Sequence, residues 1–500
     1  MTNSHLVLLP ILIPLLGAAG ALLLFRRPRA RALWALAAML VSLGFSAALL
    51  ATVWVGGQPV VFQAGGWPMP FGISLVGDPL AALFAVMTQL VLVTGLFYAM
   101  GSRETVVTYP PFYTIFLLLA AALTGAFLTG DLFNLFVFAE LMVISGTVLT
   151  AAADDRFGTE AAFKYFYMSL LASAFMLLAI GALYVSYGTL NMADLAERVA
   201  AGPEGILLRP GIALLLVTFL IKSAVFPFHF WQPDFHAAAP TAVSAMLSSV
   251  VVKFGVYGML RMTTLLFVGQ AAPIRLTLLI LGVAGIVYGG LAAINTHNLK
   301  RMLAYSTLAQ VGFILVGIGW GTPAAIAAAV VFAFNHSLVK AGMLMIAGYL
   351  SSYAPVKSAA FDAIGGIGKS LPASGVLFFL GSLALVGIPP TNGFISKMLL
   401  FRSGIAAADY LTLALIGVAS VLTLIYTMRA FQRIWWETRA EGGKAKATGD
   451  RLLAPMLLIS LAVLLGLWAE PLVRAATDVS SWLADPRLYI NAVRTLGGGG

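Results

Sequence analysis

The sequence predicts an all-α integral membrane fold: roughly fourteen transmembrane helices, two of them broken, arranged as two inverted five-helix repeats. Three observations lead there. Hydrophobic residues make up 61% of the 500 and charged residues only 10%, against ~25% charged in soluble domains. Apolar runs long enough to cross a ~30 Å hydrocarbon core recur from Leu6 almost to Leu467. Two of these runs are interrupted by proline clusters, five spans apart.

Taken in order, the spans lie near residues 5–25, 32–54, 78–100, 111–129, 131–151, 163–187, 211–230, 241–267, 274–294, 303–320, 324–350, 371–403, 411–432 and 452–470. The first, Leu6 to Phe25, has basic residues after it rather than before it, so it reads as a retained span and not a cleaved leader. Alternate loops carry Arg26, Arg27, Arg29 and Arg31, then Arg156, Lys300, Arg301, Lys357, Lys369 and the cluster from Arg429 to Arg451. The intervening loops 55–77 and 319–323 carry few or none. That asymmetry places both termini outside. It also accounts for the net charge of +10 without nucleic acid as a partner, since the basic residues form no single patch. The segment 474–496 mixes charges with Trp482, Leu483 and Tyr489 and is expected to be interfacial or solvent-exposed.

The seventh span runs into Phe226-Pro227-Phe228-His229-Phe230-Trp231-Gln232-Pro233 and then Pro240; the twelfth is broken by Gly387-Ile388-Pro389-Pro390-Thr391-Asn392-Gly393. Proline removes an amide and its ring clashes with the preceding turn, so neither helix continues through. Backbone freed inside a membrane must line a cavity or be buried in protein, which puts broken spans beside ion routes. Their matching positions point to inverted repeats and divide the chain into 1–110, 111–267 (spans four to eight), 274–432 (spans nine to thirteen) and 452–500.

Ionisable residues inside spans are the functional candidates. With Asp131 capping its helix, Glu140 lies nine residues on, ~13 Å deeper and near the midplane. An acid there costs ~3 kcal/mol or more unless paired, hydrated or protonated. Lys222 sits mid-run in the apolar stretch from Leu214, with the first break following at Pro227; contact with Glu140 would hold it charged, and loss of that contact would promote proton release. Lys253 lies in another apolar run. His336 and Lys340, four apart, share one helix face and suit a proton relay, and Lys397 follows the second break. Each also has a structural reading, as a static ion pair or a satisfied core side chain. His229, Asp234 and His236 in the first break are either proton-uptake groups or ligands for loop amides. Asp78 before Pro79 reads as a helix cap. No metal site is expected, because His-Glu-x-x-His and other compact ligand spacings are absent. With no cysteine, disulfides, thiol catalysis and cysteine-bound clusters are excluded, and no cofactor is expected. Neither a phosphate loop nor a hydrolase elbow is present, so the chain reads as a transporter subunit and not an enzyme.

The most specific phrases are Thr129-Gly130-Asp131-Leu132-Phe133-Asn134-Leu135 through Glu140, Lys222 to Pro240 with Val243-Ser244-Ala245, Lys253 to Arg261, Asn298 to Ser306, and Gly387 to Lys397. Together they resemble the antiporter-like proteins shared by Mrp cation/proton antiporters, respiratory complex I and membrane-bound hydrogenases, over roughly residues 70–435. The resemblance implies fourteen spans, two inverted repeats, and a polar axis of Glu140, Lys222, Lys253, His336, Lys340 and Lys397. It further implies other membrane subunits as partners, protons and monovalent cations (Na+) as cargo, and a bacterial or archaeal cell membrane. Ala139 and Gln232 depart from common family residues. Gln310 stands where some relatives have histidine, which leaves His336 and Lys340 to bridge the halves. Two rival readings remain: a proton-pumping subunit of a redox complex, and a scaffold with trapped ion pairs.

Overall fold

The structure, a computed structural model, describes residues 3–153, 155–438 and 446–497; Arg439 and Lys444 of the basic cluster lie outside the described residues. By length and composition, nine of the described helices can cross a membrane, or up to eleven if each of two bent pairs counts as one. All fourteen expected segments fall on helix, but several are short or bent, so length alone carries nine to eleven crossings.

The chain opens with α1 (Leu9–Leu23), α2 (Pro28–Gly56) and α3 (Pro79–Gly101), followed by α4 (Phe112–Leu128), α5 (Leu132–Ala151), α6 (Arg156–Tyr187) and a short amphipathic α7 (Met192–Ala201). The first broken span is α8 (Leu208–Lys222) with α9 (Trp231–Ala238). Next, α10 (Thr241–Met246), a π-helical turn (Leu247–Val251), α11 (Val252–Arg261) and a second π turn (Met262–Leu266) make one continuous rod. The second half holds α12 (Ala271–Ile294), α13 (Leu299–Trp320), α14 (Pro323–Tyr353), a single turn α15 (Phe361–Ile364), the broken pair α16 (Pro372–Val386) and α17 (Asn392–Ala406), and α18 (Tyr410–Phe431). The chain closes with α19 (Leu453–Leu467), α20 (Glu470–Leu483) and α21 (Pro486–Gly497).

Short polar side chains start many of these helices. Asp78, Asp131, Asp155, Asn191, Asn298 and Asp409 each accept a hydrogen bond from a first-turn amide, satisfying donors that have no partner within the helix. Both broken spans lie where the proline clusters place them. At the second break Gly387 has φ +89°, a conformation suited to glycine, and a methyl there would sit 2.6 Å from Lys397 Cδ. A methyl on Gly393 would overlap the Ala384 carbonyl oxygen, so glycine lets the two half-helices close on each other.

The helical fold carries one small addition: Val60–Gln63 (β1) and Ser74–Gly77 (β2) pair antiparallel within the 55–77 loop, where Val60, Val61 and Phe62 favour an extended chain. One expectation needs correction. The C-terminal segment is not simply interfacial or solvent-exposed. The α19 and α20 helices meet at a 78° bend, and Leu472, Ala476, Val479, Leu483, Tyr489 and Val493 are buried against the protein.

Asp78 does more than cap α3. Its carboxylate accepts from both terminal guanidinium nitrogens of Arg261, Nη1 at 2.6 Å and Nη2 at 2.7 Å, in a pair almost fully buried. Arg261 also donates to Tyr257 Oη and lies 5.1 Å from the Tyr489 ring centre, which ties α21 to α11. Removing one member strands a buried charge. Asp78→Ala should therefore destabilise the protein by roughly 3–5 kcal/mol, seen as a lowered thermal unfolding midpoint, whereas Glu204→Ala at the exposed Glu204–Arg209 ion pair should change it little.

Candidate functional site

Five ionisable side chains expected on the axis are nearly inaccessible: Lys222 is 3% exposed, Lys253 0%, His336 4%, Lys340 0% and Lys397 5%. Each nonetheless has a hydrogen-bond partner on another helix or across a helix break. Lys222, in the last turn of α8, donates to the Ser169 carbonyl at 3.3 Å and Ser173 Oγ at 3.2 Å, both on α6. Its place at a helix C-terminus favours a cation. Lys253 follows the π turn of its rod, and its Nζ is 2.5 Å from His336 Nδ1 on α14. Such turns often occur at functional positions because they redirect side chains by a fraction of a turn. One turn along α14, Lys340 donates to the Leu303 carbonyl at 3.1 Å and Ser306 Oγ at 2.8 Å; Tyr426 donates to the same Oγ at 2.9 Å.

Lys397 owes its place to the second break. Its Nζ donates to the Val386 carbonyl at 2.8 Å and to Ser420 Oγ at 2.9 Å, and lies 4.7 Å from the Phe313 ring centre. The Val386 carbonyl ends α16, where a continuous helix would have consumed it. The break supplies the acceptor for the lysine.

Glu140 departs from expectation. It is only partly buried on α5, its Oε1 is buried without a hydrogen-bond partner, and no ion pair joins it to Lys222. The reason is α6, which packs against both α5 and α8 and whose serines take the lysine. Glu140 remains within electrostatic reach of Lys222 and of Tyr165 on α6.

The three first-break candidates separate. Asp234 pairs with Lys164 at 2.9 Å and Arg301 at 3.1 Å, so cations engage it rather than loop amides. His236 is 1% exposed, with Nδ1 3.4 Å from Ser244 Oγ and Nε2 unpartnered. His229 lies against Tyr288, ring centres 4.7 Å apart, and Tyr288 lines an open cavity of about 780 Å³ together with Asn295, Arg301 and Tyr305. Among the described residues no group of three or more His, Asp or Glu could hold a metal ion.

A second polar cluster was not evident in the sequence. Glu104, just past α3, accepts from the Thr241 amide at 2.9 Å and from its hydroxyl at 3.0 Å, capping the rod that carries Lys253. Lys357 lies 3.6 Å away, and a cavity of about 260 Å³ opens beside them and Lys300. Nearby, Asp450 accepts from Tyr98 Oη at 2.6 Å and from the Arg103 amide at 2.8 Å. Burial holds its carboxyl above the usual range despite these donors. Nothing in the sequence marks Ser169, Ser173, Ser306 or Ser420 as partners of the lysines, because a serine in an apolar run carries no signal of what it meets.

Residues 129–423 match the family model described as NADH:quinone oxidoreductase/Mrp antiporter, transmembrane. The chain is 33% identical to the D-type subunit of the Na(+)/H(+) antiporter of Bacillus subtilis, covering 98% of this chain and 99% of that protein. It is 35% identical to the N-type subunit of the NADH-quinone oxidoreductase of Desulforudis audaxviator, covering 94% and 97%. Its fold matches a chain of the Mrp complex from Dietzia sp. DQ12-45-1b with a TM-score of 0.89 at 27% identity, covering 99% of this chain and all of that one.

The short contact between Lys253 and His336 implies energetic coupling. In a double-mutant cycle, Lys253→Ala and His336→Ala should be non-additive by about 0.5–3 kcal/mol in thermal stability, whereas Lys222→Ala with His336→Ala should be nearly additive.

Proposed function

Because the chain belongs to the NADH:quinone oxidoreductase/Mrp antiporter family, we propose that it is the D-type membrane component of a multisubunit antiporter that exchanges monovalent cations, Na+ foremost, for protons. Protons pass along Glu140, Lys222, Lys253, His336, Lys340 and Lys397, with His229, Asp234 and His236 at the uptake side. Its partners are the other membrane subunits of the complex, and its place is the cell membrane, with both termini outside. The chain is read as two inverted halves, 111–267 and 274–432.

The observation that carries this reading is the Lys253–His336 contact at 2.5 Å. It joins a side chain of the first half to one of the second, so a proton released by one ammonium meets a base that belongs to the other half. Glu140 acts on Lys222 through its field across α6 instead of through a fixed ion pair: as the carboxylate gains or loses its proton, the balance between ammonium and amine at Lys222 shifts. A membrane potential of 100 mV supplies ~2.3 kcal/mol per charge crossing fully, comparable with the cost of one buried charge, so the field is able to bias the axis.

A second reading, a proton-pumping subunit of a redox complex, draws on the likeness to an NADH-quinone oxidoreductase component. The same axis would serve it, with electron transfer in partner chains as the driving step. Subunits that co-purify with the chain separate the two: small membrane proteins alone favour the antiporter, and hydrogenase or quinone-reductase subunits favour the pump.

In vesicles containing the assembled complex, Glu140→Gln and Lys222→Ala should each abolish cation-driven proton exchange while leaving subunit composition unchanged. Normal exchange by both variants would overturn the reading.

A further inference from the structure

The step from His336 to Lys397 crosses a small cavity between α14 and the second break. Asn335, His336, Asn392, Lys397, Gln310 and Phe332 are among its walls, and its space for the centre of a water molecule is about 10 Å³. That is roughly what one water needs. Asn335, His336 and Asn392 are 3%, 4% and 0% exposed, and four of their atoms lack a hydrogen-bond partner: Asn335 Oδ1, His336 Nε2, and both Oδ1 and Nδ2 of Asn392. Buried polar atoms are seldom left so.

Among the described residues no neighbouring group supplies the missing bonds. Asn335 Nδ2 is committed to the Asn392 carbonyl at 3.1 Å and Ser396 Oγ at 2.8 Å, which fixes its amide with Oδ1 turned away from them. Gln310 donates to the Leu385 carbonyl. His336 Nδ1 faces Lys253, so Nε2 is its opposite pole.

We propose that Asn335, Asn392 and His336 hold one ordered water between His336 and Lys397, and that Asn392 is a positioning residue for proton transfer across this gap. The stoichiometry of the free atoms supports it. A water donates two hydrogen bonds and accepts two; here the Asn392 amide and the imidazole N–H donate to it, Asn335 Oδ1 accepts one O–H, and the second O–H serves Asn392 Oδ1 at rest and turns to Lys397 Nζ when that lysine is an amine. A bare cation would meet the N–H donors, and an anion would meet the two oxygens. The transfer balances: Lys253 gives a proton to His336 Nδ1 as Nε2–H passes its own to the water, and the water hands a proton to Lys397 Nζ in its amine form. The water emerges unchanged, the imidazole is left as the other tautomer, and one positive charge has moved from Lys253 to Lys397.

This inference rests on the proposed proton axis, and the test separates the two. In the reconstituted complex, infrared difference spectra between two pH values, taken in ordinary and 18O water, should show an isotope-sensitive O–H stretch of a confined water. Asn392→Leu should remove that band and slow exchange by about tenfold or more. Asn392→Ala leaves room for additional water, so it should shift the band and keep exchange within about threefold. The Asn392 side chain makes no hydrogen bond among the described residues, so a purely structural role predicts that Asn392→Leu assembles and exchanges normally; that result, with the band intact, overturns the proposal. If Asn392→Leu fails to assemble, an unshifted band in Asn392→Ala overturns it. Lys397→Ala reports on the axis itself: full exchange there sinks the proposed function, whereas lost exchange there with normal Asn392→Leu removes only the water.

Discussion

An ammonium group buried among hydrocarbon side chains must find acceptors, and nearly everything else in this structure follows from how that is done. Serine hydroxyls and backbone carbonyls meet Lys222, Lys340 and Lys397, and an imidazole meets Lys253. None of the four forms an ion pair of 4 Å or less among the described residues. A tight carboxylate would stabilise the charged form and trap the proton. Neutral acceptors leave both protonation states within reach, which suits groups that pass protons on.

The scaffold serves the same end. The rod carrying Lys253 is held at both extremities from the two ends of α3: Glu104 caps its start at Thr241, and Asp78 grips Arg261 near its finish. Between these clamps a π turn precedes the lysine. On the other side of the bundle the broken pair α16 and α17 frees the Val386 carbonyl for Lys397 and brings Asn392 to Asn335. Clamped ends and irregular middles place the titratable groups at hydrogen-bonding distance from their acceptors.

Much of this was legible in the sequence. Apolar runs located the helices, because span length is set by bilayer thickness, and the proline clusters located both breaks. The lysines and His336 stood out because ionisable groups are costly in that setting. Pairings were another matter. Spacing placed His336 and Lys340 on one face, but only tertiary packing gives Lys253 to His336 and interposes α6 between Glu140 and Lys222. Asp78 looked like a cap and is one; its second role depends on Arg261, 183 positions away. The serines, Asn335 and Asn392 were invisible as functional groups because what matters about them is which atoms are satisfied and which are not. The hairpin at Val60–Gln63 and Ser74–Gly77 was too short to register against a helical background.

The central claim is that Lys253 and His336 share a proton across the boundary between the halves. It is tested most directly by nitrogen-15 magnetic resonance of the assembled complex, labelled at lysine and histidine and followed as pH is varied. Lys253 Nζ and His336 Nδ1 should show a direct hydrogen-bond correlation and shift together through a single transition. Independent transitions, or a His336 signal that stays constant while exchange activity turns on, would contradict the account.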